Sequence, residues 1–429
     1  MKLLCCADLH LGRQPSRLPE GLAPSVRAAE LGPAAAWRRT VAEARQLSVD
    51  AVLLAGDVVD DDSDFFEAYA DLRSGAEELA DAGIRVLAVS GNHDVRVLPR
   101  LAEAVSGVTL LGRDGRWQAE TLTGADGVQA HILGWSFPHD TAPGDPLADG
   151  LPPREDALPV IGLLHADRDA TGSPYAPVRS ADLRAAPVDA WLLGHLHAPD
   201  LAPGPRPMGY LGSLVGTDPG EPGPHGPWLL EVTQDGTLSV THLPLAPLRW
   251  EEVPIDVSEL AAPEQVHVRI AAALDALDRR VASGTHPPRA VGCRLRLGGR
   301  TGYRREVQRL LEGDDPRRSV QHRGDVAYFV HAWHLDALPE VDLHALAQGS
   351  DPVGLLAARL LLLREGTDDP ARQALIQEAR PHLRSVRESR YLRDVGTEPL
   401  DDERIAELLD AAALRALDVL LAQREDLAS

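Results

Sequence analysis

The chain has 429 residues, which is long for a single ordinary hydrophobic core, so two or three domains are expected. A hydrophobic fraction of 44% is typical of a globular protein, and no stretch approaches the roughly 20 apolar residues of a membrane span. The formal net charge of −22 argues against a polyanionic partner unless basic residues are concentrated locally.

The N-terminal stretch MKLLCCADLHLG carries charges where a signal peptide would keep a longer apolar core. The chain contains three cysteines, Cys5, Cys6 and Cys293, which fits a reducing compartment. We therefore expect a cytoplasmic protein without membrane association.

Five short apolar runs, each followed by polar side chains, are predicted strands. In chain order, KLLCCA precedes Asp8 and His10, AVLLAG precedes Asp57, VLAVSG precedes Asn92, His93 and Asp94, PVIGLL precedes His165, and AWLLG precedes His195 and His197. Continuous aliphatic runs of this length are typical of strands buried on both faces. Helical patterns at 34–47 and 64–83 separate several of them, which predicts a layered α/β domain.

The polar clusters follow the strands and are expected to share one site. Ligands collect at the carboxyl edge of such sheets, where loops converge. Side chains at i and i+2 of an extended segment point the same way, so Asp8 would pair with His10, and His195 with His197. Carboxylate oxygen and imidazole nitrogen together suit Mn²⁺, Fe²⁺ or Zn²⁺. The sequence therefore predicts a metal site.

The motifs DLH, GD, GNHD, LLHAD and GHLH, in this order, resemble those of the calcineurin-like metallophosphoesterases. The longer stretches around these motifs resemble the SbcD-type DNA-repair exonucleases and, among them, a YhaO-like subgroup. These stretches are ADLHLG, AGIRVLAVSGNHD and YLGSLVGTDPGEPGPHGPWLLEV. The resemblance covers residues 1 to about 245 and implies a layered β-sandwich flanked by helices, with a small α/β cap and a helical C-terminal region.

The family pattern implies a role for each matching residue. Asp8, His10 and His197 would hold one divalent ion, Asn92, His165 and His195 would hold another, Asp57 would bridge the two, His93 would be the general acid, and Asp94 would orient His93. Mn²⁺ is the favoured ion. Asp60 matches an acidic position common in the family, but it begins the run DDDSD, and we interpret it as part of a charge cluster at a helix N-terminus.

Three domains are predicted: a catalytic domain at 1–245, an α/β capping domain that guides DNA at 246–340, and a helical region at 341–429. Residues 289–323 hold ten arginines and four carboxylates, a basic island in an acidic chain. A solvated surface explains this island about as well as DNA binding does. In the DNA interpretation, the contacts are Arg294, Arg296, Arg304 and Arg305. The resemblance also implies docking of the C-terminal helices on an SbcC-like or YhaN-like ATPase, and a homodimer is a further option.

The expected function is a two-metal DNA phosphodiesterase, an exonuclease with some endonuclease activity, acting in DNA repair with an ATPase. Two alternatives remain open. A phosphomonoesterase or cyclic-nucleotide phosphodiesterase would use the same ligands, and a non-catalytic scaffold would keep only the fold.

Overall fold

The computed structural model describes residues 1–22, 26–61, 65–154, 156–387 and 401–428. The chain divides into two compact units whose segments alternate in sequence. The first comprises Met1–Ile255, Val266–Leu297 and Arg309–Leu335, and the second Asp256–Gln265, Gly298–Gln308 and Asp336–Ser429. Segments of the predicted cap, 246–340, contribute to both units, and the three-domain organisation stays a prediction.

Two mixed sheets organise the first unit. The first sheet has the order β11-β10-β1-β2-β3-β4, with β1 Lys2–Cys6, β2 Ala51–Ala55, β3 Arg85–Val89, β4 Val108–Leu110, β10 Trp228–Val232 and β11 Leu238–His242. The second has the order β5-β6-β7-β8-β9, with β5 Gln118–Thr123, β6 Gln129–Trp135, β7 Val160–His165, β8 Ala190–Gly194 and β9 Met208–Tyr210. Strands β1 to β4 are parallel to one another, as are β6 to β9.

The central strands are buried on both faces, which explains their continuous apolar sequence. Leu3 and Leu53 belong to a core cluster that also contains Ile161 of the second sheet. Their neighbours Leu4 and Leu54 belong to another cluster, shared with the helices that follow β1, β2 and β3. These helices are α1 Pro33–Gln46, α2 Phe65–Asp81 and α3 Leu98–Ala104, while α4 Ser180–Ala185 precedes β8. The predicted sandwich of sheets with flanking helices is confirmed.

Strand register brings the polar clusters to one edge of each sheet. Cys6 pairs with Leu54 and Ala55 pairs with Val89, so β1, β2 and β3 end side by side. In the second sheet, His165 pairs with Gly194, the last residue of β8. The loops that carry the predicted ligands therefore leave neighbouring strands at the same level.

A third sheet, of order β12-β13-β16-β15, follows. Its strands are β12 Leu248–Asp256, β13 Ala290–Gly298, β15 Val320–Arg323 and β16 Val326–Leu335. Helices α5 Gln265–Ala282 and α6 Arg304–Gly313 lie among these strands in sequence, and Tyr328 on β16 donates a hydrogen bond of 2.8 Å to Asp278 on α5.

The second unit ends in helices. It contains the pair β14 Arg300–Thr301 and β17 Leu338–Pro339, followed by α7 Leu343–Leu346, α8 Pro352–Leu363, α9 Pro370–Arg387 and α10 Asp402–Ala428. Leu360 of α8 and Leu417 of α10 share a small buried core, and Arg300 forms a two-pronged ion pair with Asp418 at 2.8 and 3.0 Å. The helical C-terminal region is thus confirmed. Among the described helices, none has the length and apolar content needed to cross a membrane.

We expect the free energy of unfolding between pH 6.5 and 4 to depend on His242, whose ring lies 4.7 Å from that of Trp228. Burial of His242, with the charge of His225 adding, lowers its pKa from 6.5 to about 4. Between these values the unfolded chain binds a proton that the folded chain does not, so stability falls as the pH drops from 6.5 to 4. The slope from this group is at most about 1.4 kcal/mol per pH unit.

A His242→Phe variant keeps the ring contact without a titrating group, and we expect its stability to fall less steeply over this interval. Urea unfolding at pH 7, 6 and 5, followed by tryptophan fluorescence, measures the two slopes. Equal slopes in the variant and the parent would contradict this assignment.

Candidate metal centre

Two overlapping groups of predicted ligand side chains lie at the ends of the strands, and a third group joins His10 to Asp60 and His93. Asp8, His10 and His197 form one triplet, and Asp8, Asp57 and His165 form another, with the ligand atoms of each triplet within 4.8 Å of one another. These five side chains come from both sheets of the sandwich, so the structure brings together most of the predicted ligands. Asp8 is the carboxylate common to both triplets.

The backbone at the candidate ligands is strained. The φ angles are +48° at Asp8, +49° at His10, +49° at Asp57 and +110° at His195. Residues other than glycine rarely adopt positive φ, and such conformations cost of order 1–3 kcal/mol each. The surrounding fold holds these residues in an unfavourable conformation, as is common where side chains must converge on a ligand.

The glycines that precede the ligands leave no room for a side chain. A Cβ at Gly91 would lie 2.1 Å from Asp57 Oδ1, and a Cβ at Gly194 would lie 2.1 Å from the carbonyl oxygen of Ala55. A Cβ at Gly56, where φ is +89°, would lie 2.6 Å from His165 Nδ1. The glycines of the GD, GNHD and GHLH motifs therefore let the loops approach closely enough for the ligands to meet.

In the first triplet, the Nε2 atoms of His10 and His197 lie 3.1 Å apart. Nδ1 of His197 donates to Glu221 Oε1 at 2.7 Å, which leaves the Nε2 lone pair directed at the site. Nδ1 of His10 lies 3.0 Å from Asp60 Oδ1, although without an aligned hydrogen bond. Without an ion, the two Nε2 atoms are at hydrogen-bond distance, with one of them donating. Once both are deprotonated, their lone pairs could bind a single metal ion.

The second triplet is built around His165, which is fully buried. Its Nε2 lies 3.2 Å from Asn92 Oδ1 and 3.3 Å from Asp57 Oδ2. Burial alone would lower the pKa of His165, but the carboxylates of Asp57 and Asp8 outweigh it and raise the pKa to about 9. Without an ion, the carboxylates therefore favour the protonated form of the His165 ring. A divalent ion bound to these oxygens would replace that proton.

His195 contributes differently from its predicted partner His197. Its backbone N–H donates to both carboxylate oxygens of Asp8, at 3.1 and 3.2 Å. Its ring lies 5.2 Å from that of His165, and its Nε2 lies 3.9 Å from Asp167 Oδ2. Burial, followed by the charge of His165, lowers the pKa of His195 to about 4, so the imidazole is neutral at pH 7, as a metal ligand must be.

His93 is exposed at the same site. Its Nδ1 lies 2.8 Å from the carbonyl oxygen of Asp60, and its ring lies 5.2 Å from that of His10. Because a carbonyl can only accept, Nδ1 carries the proton, and Nε2 remains available to hold or transfer another.

Asp94 makes contacts other than the one predicted for it. Its carboxylate accepts hydrogen bonds from the backbone amides of Val58 at 2.7 Å and Gly91 at 2.8 Å. Among the described residues, the hydrogen-bond partner of the His93 ring is the Asp60 carbonyl. Asp94 therefore ties the loop after β2 to the loop after β3, and so fixes the spacing of Asp57 and Asn92 rather than the orientation of His93.

The negative charge of the buried carboxylates at the site also fits a metal ion. Asp8, Asp57 and Asp94 are at most 2% exposed. Burial raises the pKa of Asp8 and Asp94, the latter to about 7, and the negative charge of Asp57 adds to both shifts. Buried carboxylates are normally paired or bound to metal. The residues present therefore suit divalent ions, which would be held by Asp8, His10, Asp57, Asn92, His165, His195 and His197.

Two carboxylates of the site were not predicted. Asp60 lies against His10 and also 4.0 Å from Arg13, so it is more than a helix-terminal charge. Glu221 holds His197 and accepts from the amide of Thr217 at 2.9 Å, while its carbonyl oxygen lies 3.2 Å from His225 Nε2. The family-like acidic position indicated Asp60, but nothing in the spacing of Glu221 relates it to His197.

The four arginines predicted to contact DNA fall in both compact units. Arg294 and Arg296 lie on β13, where their guanidinium groups are 3.4 and 4.0 Å from Glu252. Arg304 belongs to the second unit and donates to the carbonyl oxygen of Ala337 at 2.8 Å, and Arg305 follows it on α6. Their role in DNA binding stays a prediction.

Residues 1–199 match the family model of the calcineurin-like phosphoesterases. These residues form a calcineurin-like phosphoesterase domain. The layered sheets confirm the metallophosphoesterase fold that the motifs predict, and proteins of the matching family use divalent ions. Residues 250–327 match the model of the middle domain of the metallophosphoesterase YhaO, so a YhaO-like middle domain follows.

The chain is similar to two curated proteins. The chain is 27% identical to the uncharacterized metallophosphoesterase YhaO of Bacillus subtilis over 270 residues, 59% of this chain and 62% of that protein. It is 30% identical to the DNA double-strand break repair protein Mre11 of Methanopyrus kandleri over 115 residues, 27% of this chain and 23% of that protein. The chain thus spans less than two thirds of either relative.

Solved structures similar to the chain include TT1561 of Thermus thermophilus and a dimetal phosphatase from Danio rerio. Each is 13% identical with a TM-score of 0.32, and the matches cover 56% and 54% of this chain and 98% and 92% of those chains. The phosphoesterase YfcE of E. coli is 16% identical, with a TM-score of 0.27 over 56% of this chain and 98% of its own.

Proposed function

We propose that the chain hydrolyses phosphodiester bonds of DNA, as an exonuclease that also cleaves near ends, using two divalent ions with Mn²⁺ favoured. The observation that carries this proposal is the convergence of Asp8, Asp57 and three imidazoles at one strand edge, with His93 exposed beside them. The partial similarity to Mre11, a DNA double-strand break repair protein, supports DNA as the substrate.

Different residues of the site have different roles in the proposed hydrolysis. Two divalent ions supply activation of a water molecule and neutralisation of phosphate charge when bound. Glu221 holds the imidazole of His197 with Nε2 toward the centre, and the Asp60 carboxylate lies 3.0 Å from Nδ1 of His10. His93 protonates the leaving oxygen from Nε2, because its Nδ1 is committed to the Asp60 carbonyl.

The remaining parts of the chain are assigned to DNA and to a partner protein. Arg294, Arg296, Arg304 and Arg305 are proposed to contact the DNA backbone. The exposed side chains of Leu355 on α8 and Val419 on α10, 60% and 57% accessible, support docking of an SbcC-like or YhaN-like ATPase on the C-terminal helices. A homodimer is proposed as an alternative assembly.

The purified chain with Mn²⁺ should degrade linear duplex DNA and hydrolyse bis-p-nitrophenyl phosphate, and EDTA should stop both reactions. The p-nitrophenyl monoester, assayed in parallel, should react far more slowly. Monoester hydrolysis with intact DNA would replace this proposal by a phosphomonoesterase, and bound metal without any phosphoester hydrolysis would favour a scaffold.

A further inference from the structure

The mouth of the candidate metal centre has an apolar side that the metal ligands do not require. Leu196, between His195 and His197, is 45% exposed. The ring of Tyr175 lies 5.3 Å from that of His195 at an interplanar angle of 45°. An aromatic ring thus lies beside one imidazole of the candidate metal centre, and the residue that follows this histidine in sequence is an exposed leucine.

Tyr175 is only partly buried. One part of its side chain packs on the core cluster that includes Phe137 and Leu164, and the rest is open to solvent. An aromatic ring needed only for packing would be expected inside this cluster, where Trp135 and Phe137 are 5% and 2% exposed. Its exposure beside a metal ligand calls for another explanation.

The backbone around Tyr175 is fixed from both sides. Tyr175 pairs with Ala142 in an isolated parallel bridge, its carbonyl oxygen accepts from the amide of Asp167 at 2.9 Å, and its own amide donates to Ser173 Oγ at 3.1 Å. The next residue, Ala176, is fully buried and has a φ of +47°. Residues in this conformation persist only where the fold enforces them, so the ring is presented on a rigid support.

From this geometry, and resting on the proposed function, we propose that Tyr175 is a stacking surface for a nucleobase next to the scissile phosphodiester. A partly exposed aromatic ring on a fixed backbone binds any base through its π-face and gives no sequence preference. The site would then select diesters that carry a base over diesters of sugar or glycerol alone. Tyr175 is a specificity-determining residue in this proposal and takes no part in metal binding.

The test uses single-stranded oligonucleotides in which one nucleotide at a time is replaced by an abasic tetrahydrofuran unit. With Mn²⁺, cleavage of the bond beside one particular abasic position should slow by roughly 5- to 100-fold, the range for loss of one base stack. Tyr175→Ala should cause a similar loss with the unmodified oligonucleotide, and Tyr175→Phe should restore cleavage because the ring is retained.

Combining the two changes separates stacking from a merely structural role. If Tyr175 stacks on the missing base, the abasic substrate should lose little further activity in the Tyr175→Ala variant. Losses that multiply, or an abasic series without effect at any position in the parent, would overturn the proposal.

Binding, measured by fluorescence anisotropy with Ca²⁺ in place of Mn²⁺, distinguishes failure of this inference from failure of the proposed function. Weaker binding of the abasic oligonucleotide and of Tyr175→Ala, without DNA cleavage, would support the stacking surface and reject the nuclease. If the DNA is cleaved but neither cleavage nor binding changes when the base is missing, the nuclease would be supported and the stacking surface rejected. Absence of oligonucleotide binding in the parent would overturn the inference.

Discussion

Replacement of Asp57 by Asn should lower phosphodiester hydrolysis by about 10³-fold or more, because it removes an anionic ligand that would offset the charge of the divalent ions. Asp57 Oδ2 lies 3.3 Å from His165 Nε2, and Oδ1 accepts from the amide of His93 at 3.0 Å. In the absence of an ion, the positive charge of His165 overcomes the effect of burial and lowers the pKa of Asp57, so the carboxylate is ionised. Metal content by mass spectrometry and the rise in Tm on addition of Mn²⁺ report this loss without an activity assay.

Asp8→Asn is the informative comparison, since Asp8 belongs to both ligand triplets. If Asp57 bridges the ions, Asp57→Asn should lose both and Asp8→Asn mainly one. The opposite pattern would show that Asp8 is the bridge. Glu77→Gln, which changes an exposed carboxylate paired with Arg73 on α2, should bind two ions and remain fully active.

His93→Ala should cleave DNA about 10²- to 10⁴-fold more slowly while keeping its metal content. The ring makes its described hydrogen bond to the Asp60 carbonyl oxygen, and the residue is exposed, so its removal leaves the buried ligands in place. The effect should depend on the leaving group. An alkoxide of DNA needs a proton, whereas p-nitrophenolate leaves readily without one, so hydrolysis of bis-p-nitrophenyl phosphate should fall by much less.

Equal losses on DNA and on the nitrophenyl diester would indicate that His93 binds phosphate and does not donate a proton. His139→Ala, at an exposed histidine in the loop after β6, serves as the control and should behave as the parent on both substrates. Full DNA cleavage by His93→Ala would assign the acid to another group.

The sheets and the meeting of the ligands could be predicted because both follow from local pattern. Strands buried on two faces give continuous aliphatic runs, and parallel strands end at a common edge. The local geometry of the ligands could not be predicted in the same way. Pairing of Asp8 with His10 and of His195 with His197 assumed extended backbone, yet Asp8, His10 and His195 all have positive φ.

The strain separates His195 from His197. His197 lies in the triplet of His10, while the ring of His195 lies beside His165. Glu221 could not be predicted for a different reason. It reaches His197 from a loop that is held by tertiary contacts, among them those of Ser213, His225 and Trp250. Contacts of this kind leave no periodic trace in the sequence.

The candidate ligands are distributed from Asp8 to His197, and the carboxylate that holds His197 comes later still, at position 221. During synthesis, a nascent chain on the ribosome therefore cannot assemble this centre until more than half of its residues have emerged and both sheets have paired. The proposed hydrolysis would therefore require residues 8 to 221 to have folded, and translation products that end before His197 should lack it.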